Sequence, residues 1–168
     1  MRDHEKELLT AAEGGNAVAQ FNLGVLLENR ADDNGHAIEA GKVAIMRAEA
    51  ARWLLSAAEQ DLPRAQLQLA EAYAAGGEAP ENYAKAAGWF LVAMTRLGGV
   101  HQQRARTGFE LVRSRLTPAQ ITKATHFARI WKPKTVHGAG PGSEPRKPSE
   151  SFPSLSATAA AEENPVPR

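Results

Sequence analysis

The chain has 168 residues, 43% of them hydrophobic and only 6% aromatic, with no cysteine and a net charge of +1. That length accommodates one domain with extensions, and the missing cysteine excludes disulfides, cysteine-ligated metals and a cysteine nucleophile. No run of about 18 apolar residues occurs, so no membrane-spanning helix is expected. The charged start, Met1-Arg2-Asp3-His4-Glu5-Lys6-Glu7, lacks the apolar stretch of a secretory signal, and a cytoplasmic protein is expected.

In chain order, residues 4–13 read as a helix, stopped by Gly14-Gly15-Asn16. Residues 17–29 form the next, with Ala19, Leu23, Leu26 and Leu27 on one face. Ala31-Asp32-Asp33-Asn34-Gly35 is a turn signal. Residues 37–46 are apolar enough to extend the following helix, although Gly41 interrupts them. Helix 47–60 places Ala50, Trp53, Leu54, Ala57 and Ala58 on one side, and Asp61 is read as the cap of helix 64–75, with Pro63 in its first turn. Helix 82–97 ends at Gly98-Gly99, and helix 101–115 runs through Ala105, Phe109 and Val112. Thr117-Pro118-Ala119-Gln120 is a capping box that starts a last helix reaching about Trp131.

From Pro133 the composition changes. Seven of the ten prolines lie in residues 133–168, with several glycines and serines and Phe152 as the lone aromatic. Such a segment buries too little apolar surface to offset chain entropy, and a disordered tail is expected there.

The chain also resembles itself. Leu8-Leu9-Thr10-Ala11-Ala12-Glu13 through Ala19-Gln20-Phe21-Asn22-Leu23 returns 46 residues later as Leu54-Leu55-Ser56-Ala57-Ala58-Glu59 through Ala65-Gln66-Leu67-Gln68-Leu69. Ala50-Ala51-Arg52-Trp53 returns 36 residues later as Ala86-Ala87-Gly88-Trp89. The offsets agree if the period is 36 and the first loop carries ten extra residues. A period in this range is the mark of stacked supersecondary units. The expected fold is therefore all-α: an α/α solenoid of about three helix–turn–helix repeats over residues 1–132, followed by the tail 133–168.

The junction Ala11-Ala12-Glu13-Gly14-Gly15-Asn16-Ala17-Val18-Ala19-Gln20-Phe21-Asn22-Leu23-Gly24 resembles that of Sel-1-like repeats, a tetratricopeptide-like family. Trp53 with Ala57 and Ala58, and Trp89 with Ala93, are similar to its second-helix pattern. On that resemblance Ala19, Leu23, Gly24, Ala65, Leu69 and Tyr73 are also repeat-structural. Leu27 departs from the pattern, standing where tyrosine is usual, and the unit at 101–131 keeps little of it. Small residues at 24, 57, 58, 70 and 93 let helices approach within about 8–9 Å. The resemblance implies a scaffold or adaptor that binds a protein or peptide, without a cofactor, in a bacterial cytoplasmic setting, and a short array of this kind could also pair with itself.

No catalytic constellation is visible. The five histidines form no i, i+4 pair, and His-Glu-x-x-His, Gly-x-Ser-x-Gly and the phosphate-loop pattern are missing, so no catalytic residue, metal or cofactor is expected. Gly138-Ala139-Gly140-Pro141-Gly142 has neither a strand before it nor a helix after it, and Asp32-Asp33 reads as a solvated turn.

Candidate binding residues fall in two groups. The concave face of a solenoid, lined by the first helix of each unit, is its usual binding surface; here it offers Gln20, Asn22, Gln66 and Gln68, with Glu28 and Glu71 nearby. Gln20 and Gln66 recur with the repeat and could equally bond a neighbouring backbone. The second group is basic. Residues 1–100 carry nine basic and fourteen acidic side chains, whereas residues 101–132 carry seven and one. Arg104, Arg106, Arg113 and Arg115 stand in that segment, either as a solvated face or as the dock by which a regulatory accessory protein would hold acidic partners or nucleic acid. The lack of interleaved aromatics argues against nucleic acid.

Overall fold

The computed structural model describes residues 3–33, 39–76 and 80–134. Among them are seven helices and no strand: α1 (Asp3–Glu13), α2 (Ala17–Asp33), α3 (Ala40–Glu59), α4 (Pro63–Ala75), α5 (Pro80–Arg96), α6 (Gly99–Arg113) and α7 (Pro118–Ile130). Residues 34–38 and 77–79 lie outside the described residues, as does 135–168, where most of the expected disordered tail falls.

Each helix from α1 to α5 packs on the next one in sequence, and α7 packs on α5. The junctions explain the reversals. At the end of α1 the amide of Asn16 donates to Ala11 and that of Gly15 to Ala12, with Gly15 at φ 90°. This pair of bonds is a Schellman motif, and glycine supplies its left-handed residue. Asn16 then caps α2, its Oδ1 accepting from the amide of Ala19.

The second junction differs from expectation. Asp61 takes the left-handed position (φ 66°), while Leu62, without a side-chain cap bond, precedes Pro63 at the start of α4. Asp61 pairs instead with Arg96. The capping box at Thr117 and Gln120 is formed, each side chain bonding the other residue's backbone amide.

The expected turn starts later than Ala31: residues 31–33 are still helical, and Asn34 and Gly35 lie outside the described residues. α2 continues to Asp33 with Ala31 fully buried, and Asp32 pairs with Arg47 of α3. α2 has 17 residues against 13 in α4, and α3 has 20 against 17 in α5. Most of the extra residues thus lengthen the first two long helices rather than their loop, and Gly41 lies inside the first turn of α3.

Two apolar clusters result. One joins α1, α2 and Trp53 through Ala12, Ala19 and Leu23. The larger runs from α3 to α7 and centres on Leu54, Leu69, Trp89 and Phe90. Close approach depends on glycine at three places. A Cβ on Gly24 would sit 2.7 Å from Cγ of Leu54, and one on Gly88 2.8 Å from Cδ1 of Phe127; Gly108 is covered by the ring of Phe90. Trp89 meets Phe127 and Trp131 edge to face. The chain stays in contact beyond residue 132: the amide of Lys134 donates to the carbonyl of Glu59, and its ammonium pairs with the Glu59 carboxylate at 2.8 Å.

Candidate partner-binding surface

Gln20 and Gln66 point inward. Nε2 of Gln20 donates to the carbonyl of Ala12 at 3.0 Å, and Nε2 of Gln66 to that of Ala58 at 3.2 Å. Each amide reaches back across a junction to the last turn of the helix before. Only 3% of Gln20 and none of Gln66 is exposed, so neither can meet a partner on the surface. Of their two readings, the backbone bond is the one realised, because an unpaired buried amide is costly and these carbonyls lie within reach.

The same bond recurs where the sequence pattern had faded. Nε2 of Gln102 donates to the carbonyl of Met94 at 3.0 Å, again eight residues back. Positions 20, 66 and 102 are spaced by the same 46 and 36 residues as the sequence echoes. The surroundings vary: Oε1 of Gln20 accepts from Gln60, while Oε1 of Gln66 has no protein partner.

Gln68 and Asn22 lie elsewhere on these helices. Asn22 is exposed. Gln68 is half-buried and donates to the Glu28 carboxylate at 2.7 Å, which ties α4 to α2. Gln68 and Glu28 line a cleft of about 680 Å³ between α2, α3 and α4, together with Asp32, Arg47, Glu71 and Asn82, whereas Asn22 lies outside it. Burial raises the Glu28 carboxyl above its ordinary 4.5; the Gln68 bond opposes the shift, and the Asp32 and Glu71 charges reinforce it. Burial also pushes the Tyr73 phenol up, with the Glu59 charge acting in the same direction.

A second cleft, of about 630 Å³, adjoins the first and shares Glu71 and Ala75 with it. It lies between α4 and α6 over Phe90, with Gln103 and Thr107 along one wall. Val100 and Leu111 at its edge are 79% and 68% exposed. The signal for this cleft was present in the sequence. Val100 and Leu111 are out of phase with the core stripe Ala105, Phe109 and Val112, so burying one set leaves the other outside.

The four arginines of the basic segment do not converge. Arg104 forms a two-bond pair with Glu71 across the α4–α6 cleft. Arg113 pairs with Glu110 on its own helix, and Arg115 lies over the ring of Tyr83, 5.4 Å from its centre. Arg106 is exposed. Among the described residues no three His, Asp or Glu side chains are grouped to hold a metal ion, and no helix is long and apolar enough to cross a membrane.

Compared with protein-family models, curated proteins and solved structures, the chain matches none.

Proposed function

We propose that the chain is a non-enzymatic interaction module, an adaptor or scaffold, that holds a protein or peptide on the face presented by α2, α4 and α6. In this reading α1 is followed by three Sel-1-like units, the hairpins α2–α3 and α4–α5 and a terminal pair, α6 and α7, whose second helix lies on α5, stacked as a short α/α solenoid. Support for the array comes from the three glutamine bonds at repeat spacing and from the helix-by-helix contacts.

The observation that carries the binding reading is the pair of adjoining clefts along the first helices. Their walls hold groups that the fold does not use internally: Asn29, Asn82, Gln103 and Thr107, with exposed Val100 and Leu111. Amide side chains grip a peptide backbone, and exposed apolar side chains seat its anchors. Docking of acidic partners through Arg104, Arg106, Arg113 and Arg115 has less support, because three of the four already have partners.

The test is crosslinking mass spectrometry on the immobilised full chain in native lysate. Crosslinks should fall on α2, α4 and α6, and capture should survive about 0.5 M salt, where exposed charge pairs are screened. A Val100→Asp, Leu111→Asp variant should lose the partner while staying helical. Crosslinks confined to α7, or turnover abolished by one polar substitution, would displace this reading.

A further inference from the structure

α7 departs from the packing order of the other helices. It lies on α5 rather than following α6 into the stack, and a groove runs along the α5–α7 seam. This groove has a volume of about 730 Å³ and shares no lining residue with the two first-helix clefts. Its floor is small and apolar: Ala84 on α5 and Ala124 on α7, with Gly88 beneath the ring of Phe127. Its walls are Ile121, Phe127 and Ile130, the last 57% exposed.

The charge around the groove has one sign. Lys123 and Arg129 line it, and no acidic residue does. Neither cation has an ion pair among the described residues; the Arg129 guanidinium contacts only a neutral-capable ring nitrogen, Nδ1 of His126, at 3.2 Å. This contrasts with α6, where Arg104 and Arg113 are held by carboxylates of the chain itself.

From this geometry we infer that the α5–α7 seam is a second docking site, and that its occupant is an acidic amphipathic helix of a partner protein. An open seam between two helices accepts a third by seating ridges in grooves, and its small floor residues allow close approach. α7 is 13 residues long, or about 20 Å, which sets the length of contact. The apolar lining calls for a stripe at i, i+3, i+4 and i+7, and the unpaired cations call for Glu or Asp beside that stripe. A second copy of the chain would bring Lys123 and Arg129 against themselves, which disfavours self-pairing. A flat anionic membrane would meet the cations but leave the recessed floor unfilled.

The test pans the full chain against a displayed library of random peptides about 16 residues long, a turn more than α7. Enriched peptides are resynthesised and titrated calorimetrically. The expected consensus carries the apolar stripe with acidic flanks. A Lys123→Glu, Arg129→Glu variant should weaken its binding at least about tenfold, and Ile130→Ala several-fold, with helix content unchanged. Both positions are exposed, so folding is not at stake. Val100→Asp, Leu111→Asp on the other face should leave this affinity unaltered, which separates failure here from failure of the first-helix reading. A basic or uncharged consensus, indifference to charge reversal, or no enrichment would overturn the inference. So would a consensus matching residues 149–163 of this chain, which would make the tail the occupant. Sedimentation with phosphatidylserine vesicles that depends on Lys123 and Arg129, without peptide binding, would assign the cations to a membrane instead.

Discussion

A glutamine whose amide reaches eight residues back does two things at once. It gives a further donor to a carbonyl at the end of one helix, where intrahelical donors run out, and it ties that end to the start of the next helix. Gln66 does this fully buried, whereas Gln102 does it at the surface. Gln66→Ala should therefore cost about 2–3 kcal/mol, from the cavity and the lost bond together. Gln102→Ala should cost about 0.5–1 kcal/mol, the net value of an exposed bond. Urea unfolding of both variants checks the order; equal costs would mean that burial does not set the strength of the clamp. Trp53 and Trp89 make a complementary point. Both indole N–H groups are buried without a partner among the described residues, so these two tryptophans contribute volume to the core rather than a hydrogen bond.

At the scale of elements, helix ends were legible where a side chain or glycine acts locally. Gly15 and the Thr117–Gln120 box needed no tertiary context. The end of α2 did, because burial of Ala31 carries the helix into the first residues of the expected turn. The contact between α2 and α4 makes a further demand, since it places Glu28 in a half-buried position beside Asp32 and Glu71. A carboxyl whose folded pKa lies above its unfolded value contributes its full share of stability below the unfolded value and loses it as pH rises through the folded one. Ionised Glu28 therefore weakens the fold above that window. Glu28→Gln keeps an acceptor for Gln68 and removes the charge, so its melting temperature relative to the parent should be higher at about pH 7 than at about pH 4. Thermal unfolding of the pair at both pH values decides it; a gap that does not change with pH would show that the carboxyl is solvated.

Among the described residues most contacts run between helices adjacent along the chain, with α7 on α5 the main exception, and the apolar residues divide into two clusters. Stability should divide in the same way. Native-state hydrogen exchange should find the strongest protection in α3–α5, inside the larger cluster, and the weakest in α1, which packs mainly on α2 and on Trp53 of α3. Trp53→Ala should lower protection in α1 and α2 more than in α5 and α7, whereas a uniform fall would mean that the chain unfolds as one unit.

The sequence by itself determined that the chain is helical, where most helices begin and end, and which small and aromatic residues recur, because helix periodicity and capping act within a few residues. The same logic fails for the sites. Gln20 and Gln68 sit on equivalent helices with the same side chain, yet one is enclosed and the other bridges α2 and α4. Arg104 and Arg115 share a helical face on paper and reach different neighbours. Burial, ion pairing and the open α5–α7 seam depend on which helix lies against which, and only the tertiary packing decides that.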